Sequence, residues 1–195
     1  SVLREAFAMG ADEGFLICDK AFAGADVLAT SYTLMQAIKS AGDYDLILCG
    51  KQTTDGDTAQ VSGALARWMD MPHASWVVEI VKVLQNAVEV RYNMDSRTLS
   101  ARAALPCLLS VEKDSFVPSL KLKISGKKKE IHLLGIHDFI DREEEHYGLK
   151  GSATRVKKIF PPERTKRQDV AALERKEAAE YILNILAVDR QEEQR

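Results

Sequence analysis

The chain has no long apolar run, no cysteine cluster and no excess of charge of either sign, and each of these lacks removes a class of function. With 27 Lys and Arg against 29 Asp and Glu, the net charge of -2 gives no general attraction to nucleic acid or to an anionic membrane. No stretch approaches the roughly 18 apolar residues that a membrane span requires. The opening Ser1-Val2-Leu3-Arg4 lacks the basic start and long apolar middle of a secretion signal, so a cytoplasmic protein without membrane insertion is expected. Cys18, Cys49 and Cys107 are odd in number and scattered, which excludes a CxxC redox or zinc motif; each ends or interrupts an apolar run and reads as a small buried thiol. His73, His132, His137 and His146 show no ligand spacing, and no Ser/His/Asp or Cys/His arrangement is suggested around them. A chain without a catalytic constellation leaves its chemistry to a bound cofactor.

What is present is material for a core: 46% apolar and 29% charged residues in a length of 195 describe one α/β-sized domain with room for an appendage. Residues 3 to 8 read as a helix ended at Gly10, and Phe15 to Cys18 as a strand. Asp26 caps a helix in which Val27, Leu34, Ile38 and Ala41 form one stripe, widened by Leu28, Tyr32 and Met35, and which Gly42 ends. Leu46 to Cys49 carry no charge and read as a buried parallel strand, followed by a helix over 58 to 69 with Val61, Leu65, Trp68 and Met69 on one face. This β-α-β-α order over residues 11 to 70 predicts an open, mostly parallel, doubly wound three-layer α/β/α sheet.

Past Met71-Pro72 the rhythm shortens. Runs at 76 to 84, 87 to 92, 98 to 103 and 107 to 111 read as strands, two or three of them an antiparallel meander turning once at Gln85-Asn86. The charged stretch from Ile136 to Tyr147, with Glu143-Glu144-Glu145, reads as a surface helix or linker. Pro161-Pro162 stops the extended segment after it, and residues 168 to 188 form an amphipathic helix with Val170, Leu173, Tyr181, Ile182, Ile185 and Leu186 on one side. Its polar face mixes acids and bases, which suits docking to protein better than to membrane. The expected division is an α/β domain at 1 to 134, an extended segment at 135 to 162 and a C-terminal docking helix at 163 to 195.

The informative segment is the polar loop from Gly50 to Gln60, between an apolar strand and an amphipathic helix. In open parallel sheets ligands collect at the carboxyl ends of strands, where the next helix offers unpaired N–H groups and the positive end of its dipole to an anion. The loop contains neither a Walker A sequence nor Gly-x-Gly-x-x-Gly. Two readings stand: a phosphate site, or an ordinary connection in which the Asp57 carboxylate caps the helix itself. The three lysines at 127 to 129, without interleaved aromatics, read as a solvated turn rather than a nucleic-acid contact.

Several segments in order, Ala8-Met9-Gly10-Ala11-Asp12-Glu13, Asp26 to Ser31, Asp45 to Gly50, Lys51-Gln52, Asp55-Gly56-Asp57-Thr58-Ala59-Gln60-Val61, Leu105-Pro106, Lys127 to Lys129 and Gly148 to Thr154, resemble the β subunit of electron-transfer flavoproteins over residues 2 to 160. The Asp-Gly-Asp-Thr-Ala-Gln-Val segment and the Gly148-Leu149-Lys150-Gly151-Ser152 segment are nearest to anaerobic, electron-bifurcating members. The resemblance implies a non-enzymatic electron carrier that binds an adenine nucleotide, AMP or FAD, through Gly50, Lys51, Gln52, Thr53, Asp55, Gly56, Asp57, Thr58, Ala59, Gln60 and Val61. It implies a heterodimer with an α subunit and an acyl-CoA dehydrogenase-type flavoenzyme as partner. By position, Leu120 matches the family's docking leucine, although Lys113-Asp114-Ser115-Phe116-Val117 departs from the family pattern there, and a short helix with Leu120, Leu122 and Ile124 packed at home is the other reading. Members of that family carry further strands ahead of the position of Ser1, so the chain is expected to be a fragment, to borrow those strands, or to be a remnant. A free-standing nucleotide module of the universal-stress type would need a glycine-rich phosphate loop, which the sequence lacks.

Overall fold

The computed structural model describes residues 2–53, 56, 58–113, 129–160 and 174–192. Their contacts divide the chain into a unit Ser1–Arg155 and a unit Val156–Arg195. The first unit is a mixed α/β fold with a mostly parallel centre, built in the order α1 (Val2–Met9), β1 (Gly14–Ile17), α2 (Val27–Ala41), β2 (Leu46–Gly50), α3 (Val61–Met69), β3 (His73–Val83), β4 (Ala87–Met94), β5 (Arg97–Ala104), β6 (Cys107–Val111), β7 (Ile131–Leu134) and the single turn α4 (Gly148–Gly151). The second contains α5 (Arg175–Glu192), on which Tyr181, Ile182 and Leu183 are exposed. Residues 161 to 173, the expected start of that helix, lie outside the described residues.

The described strands form two sheets rather than one: β1 pairs in parallel with β7, and a five-stranded sheet runs β2-β6-β3-β4-β5. β2, β6 and the start of β3 are parallel, while β3, β4 and β5 make the expected antiparallel meander. β6 is buried on both faces, since Cys107 and Leu109 join Val77, Val88 and Val90 on one side while Leu108 meets Met35, Leu65 and Ala66 of the helices on the other. That is why its sequence is an uninterrupted apolar run. β2 looks similar in sequence but is an edge strand here, and Leu48 on it is 54% exposed. The expected buried strand is therefore only half-buried, for want of a neighbour on its outer side among the described residues. Cys18, also expected inside, is exposed just past the end of β1, whereas Cys107 is buried and Cys49 intermediate.

α2 starts at Asp26 as its capping chemistry requires, with Asp26 Oδ1 accepting from the Ala29 N–H at 3.1 Å. Its buried side is wider than the apolar stripe and takes in Ser31, Thr33 and Gln36. The hydroxyls of Ser31 and Thr33 donate to the helix's own carbonyls, Leu28 and Ala29, and Ser31 Oγ also accepts from the Trp68 indole N–H of α3 at 3.2 Å.

The stretch from Ile136 to Tyr147, expected at the surface, instead supplies a core. Ile136, Phe139 and Tyr147 are buried against Ala37 of α2, with Phe22 and Tyr32 beside them, while the charged residues between, other than Asp141, are exposed. The Asp141 carboxylate accepts from the Tyr32 hydroxyl at 2.6 Å and meets His146 Nδ1 at 2.5 Å, and the Asp141 carbonyl accepts from the Tyr147 hydroxyl at 2.6 Å. Two glycines make the next turn possible. At Gly148, φ is +54° and a Cβ would lie 2.2 Å from the Ala21 carbonyl oxygen; at Gly151 a Cβ would lie 2.3 Å from the His146 backbone.

Candidate functional site at the carboxyl ends of β2 and β6

β2 and β6 run parallel in register from Leu46↔Cys107 to Gly50↔Val111, and the ladder extends one step further where the Lys51 N–H donates to the Val111 carbonyl at 3.0 Å. Beyond this point both strands end. The cleft they leave, about 710 Å³, is lined by Leu48, Cys49, Gly50, Lys51, Gln52 and Thr53 from β2 and its loop, and by Val111, Glu112 and Lys113 from β6. This volume lies within the range of nucleotide and cofactor pockets, roughly 300 to 1,000 Å³. The position, outside the carboxyl ends of parallel strands, is the one at which open α/β sheets hold ligands.

The walls have a definite chemistry. Lys51 Nζ donates to Glu112 Oε1 at 2.8 Å and sits 5.3 Å from the centre of the Trp76 ring. Trp76 reaches Lys51 because β3 slips its register against β6 between Ala74 and Val77, a bulge in which Trp76 takes the left-handed φ of +56°. The Glu112 N–H, in turn, donates to the Val77 carbonyl at 2.9 Å, fixing the acid to the same bulge. Burial pushes the Cys49 thiol above its ordinary range, so it stays protonated and serves as wall rather than nucleophile. A Cβ at Gly50 would meet nothing within 4 Å, so the backbone there faces open space.

Of the residues expected at a nucleotide, Gly50, Lys51, Gln52 and Thr53 line the cleft together. Gly56, Thr58, Ala59, Gln60 and Val61 are not part of its lining, and Asp55, Asp57 and Leu120 lie outside the described residues. The loop turns at Thr53, whose Oγ1 accepts from the Gly56 N–H at 3.2 Å. α3 begins three residues later than its periodicity suggested, at Val61, because Ala59 adopts a left-handed φ of +53° that no continuing helix allows. Gln60 occupies the cap position, and its own side chain makes no capping bond. Glu112, Lys113 and Trp76 were not anticipated as site residues. Only the pairing of β2 with β6 brings Glu112 to Lys51, 61 positions away, and no local pattern encodes that pairing.

A second concavity, about 260 Å³, is lined by Leu28, Ala29, Tyr32, Trp68, Glu145, His146 and Gly151 and is small for a nucleotide. Among the described residues no cluster of His, Cys, Asp and Glu could hold a metal ion, and no helix is long and apolar enough to cross a membrane.

The sequence model of the electron transfer flavoprotein domain matches residues 1–136. The chain is 37% identical over 189 residues to the electron transfer flavoprotein subunit beta of Clostridium acetobutylicum, covering 95% of this chain and 72% of that protein. It is 38% identical over 174 residues to the protein of the same name from Megasphaera elsdenii, covering 84% of this chain and 64% of the relative. It is also 37% identical over 164 residues to the caffeyl-CoA reductase-Etf complex subunit CarD of Acetobacterium woodii, covering 83% and 62%. The chain thus spans about two thirds of the length of the curated relatives it matches.

Proposed function

Because the chain belongs to the electron transfer flavoprotein family, on its β-subunit side, we propose that it is the nucleotide-binding part of a heterodimeric electron carrier that holds AMP or FAD in the cleft between β2 and β6. The observation that carries this reading is the cleft itself: a nucleotide-sized space at the carboxyl ends of two parallel strands, with Gly50 open to it and the Lys51 ammonium on its wall. Lys51 supplies positive charge to a phosphate. The backbone at Gly50 can approach the ligand closely because it carries no side chain and nothing stands within 4 Å of where a Cβ would lie. The amides of Thr58 to Val61, which lead into α3 beyond the cleft's lining, and the side chains of Thr58 and Gln60 belong to the same loop and are the further donors this reading assigns to the phosphates. A bound flavin would supply the redox chemistry, and the chain's part is to bind and orient it.

In this reading the chain is a carrier rather than an enzyme, pairs with an α subunit that holds the other flavin, and passes electrons to an acyl-CoA dehydrogenase-type flavoenzyme. The Asp55 to Val61 and Gly148 to Ser152 segments, which resemble those of electron-bifurcating members, favour FAD in the β cleft, and with it electron bifurcation from NADH, over AMP. The test is to co-express the chain with a candidate α subunit, denature the purified complex and separate the released nucleotides by chromatography. Two FAD per heterodimer support the bifurcating form and one FAD with one AMP the simple carrier. A complex that forms and releases one FAD alone, or none, overturns the assignment of a nucleotide to this chain.

A further inference from the structure

We propose that Glu112 and Trp76 are positioning residues of the cleft, which together hold the Lys51 ammonium where a ligand's phosphate is bound. The inference rests on the nucleotide reading above and adds two residues from outside the loop. Neither residue follows from the segment between Gly50 and Val61; β6 and the bulge of β3 deliver them from other strands.

Three features of the geometry converge on Lys51. A lysine side chain at a strand end has four rotatable bonds, and a ligand that must immobilise it loses affinity to the ordering cost. Here that ordering is already done. Glu112 Oε1 takes one of the three ammonium donors at 2.8 Å, and the face of Trp76 lies 5.3 Å away, so the charge is fixed from two sides while the side chain keeps about a third of its surface exposed toward the cleft. Glu112 is itself held by its N–H bond to Val77, and its side chain is 19% exposed.

The presence of Trp76 at this point also has a cost that calls for a reason. A tryptophan at φ +56° in a bulge is sterically disfavoured, and a regular β3 without the bulge would need no such backbone. The slip in register between Ala74 and Val77 puts Trp76 at Lys51, with the residue 39% exposed. Its indole is placed as a flat wall beside the ammonium and outside the packed core.

The sign of one substitution separates positioning from simple electrostatics. A bare carboxylate close to a phosphate repels it, so if Glu112 acted only as a charge, Glu112→Gln would tighten binding of AMP. If Glu112 positions Lys51, the same change loosens the ammonium and weakens AMP. The experiment is calorimetric titration of the 195-residue chain and its variants with AMP and with adenosine, which differ only in the phosphate. Expected results are a Kd for AMP raised roughly two- to fivefold by Glu112→Gln, the scale of a partly exposed ion pair. A similar rise is expected for Trp76→Leu, with Trp76→Phe restoring most of the loss. Adenosine binding stays unchanged throughout, which also reports that each variant is folded.

Tighter AMP binding by Glu112→Gln, or unchanged AMP binding in both variants, overturns the positioning role while leaving the nucleotide reading intact. An equal loss of AMP and adenosine in Trp76→Leu overturns it too, since it would place the indole against the base and not against Lys51. An unaltered chain that binds neither AMP nor FAD overturns the nucleotide reading, and this inference with it.

Discussion

Asp26 and Thr154, 128 positions apart, are joined by two hydrogen bonds: Asp26 Oδ2 accepts from the Thr154 N–H at 2.8 Å and from the Thr154 hydroxyl at 3.0 Å. The other carboxylate oxygen caps α2, and the Asp26 N–H donates to Ser152 Oγ at 2.8 Å. One aspartate therefore both starts a helix and ties down the segment that leaves the domain.

Asp26→Ala removes the cap and both bonds to Thr154. Loss of a cap alone costs about 0.5 to 2 kcal/mol, and the bonds to Thr154 add to it, so a destabilisation of roughly 1.5 to 3 kcal/mol is expected from chemical denaturation. Thr154→Val, which keeps the N–H bond and loses the hydroxyl, should cost no more than about 1 kcal/mol. Equal losses in the two variants would show that the cap contributes nothing.

Gly148→Ala should be far more damaging than its size suggests. The new methyl would lie 2.2 Å from the Ala21 carbonyl oxygen and 2.8 Å from that of Ala23, at a φ of +54°. Neither backbone atom can give way cheaply, so we expect a loss above about 2 kcal/mol in unfolding experiments. A neutral result would mean that the turn at Gly148 is not packed on the Ala21 to Ala23 segment.

In the core between the helices and the sheet, Leu65 is 1% exposed and packs with Met35, Ala66 and Leu108. Leu65→Ala is expected to destabilise the domain by about 2 to 5 kcal/mol. Trp68 on the same helix is 41% exposed, and Trp68→Ala should cost markedly less despite the larger side chain. Denaturant midpoints of the two variants decide the order.

Two histidines should shape the pH dependence in opposite ways. The hydrogen bond that His146 donates to the Asp141 carboxylate raises its pKa, with Glu143 and Glu145 adding to it through their charge. Its contribution is present in full below the unfolded value of about 6.5 and is lost as pH rises through the higher folded value. His73 has its pKa lowered by burial, and its Nε2 has no hydrogen-bond partner among the described residues. It favours the folded state above about 6.5 and works against it as pH falls below. His146→Gln should therefore lower stability more at pH 6 than at pH 9, measured by thermal unfolding across pH. The reverse pattern would contradict the assigned sign.

The elements with short-range logic were legible in the chain. Asp26 and Gly42 bound α2 where capping chemistry puts them, and the apolar runs of β2, β4, β5 and β6 begin and end within a residue or two of their sequence limits. The first half of the cleft, Gly50 to Thr53, could be named for the same reason, because a polar loop after an apolar strand is a local pattern. The start of α3 is not legible in the chain, because the left-handed Ala59 leaves no signature in composition or periodicity.

The sequence by itself determined where helices and strands form, because capping, periodicity and turn propensity act within a few residues, and its colinear segments carried the family resemblance. Which strands lie side by side, only the tertiary structure decided. Pairing β6 with β2 and β3 set Glu112 and Trp76 against Lys51 and left Leu46 to Gly50 as an edge among the described strands, while packing against Ala37 of α2 buried Tyr147 at the end of the acidic stretch around Asp141. Those outcomes depend on the total surface that distant segments can bury together, a quantity that no short window of residues contains.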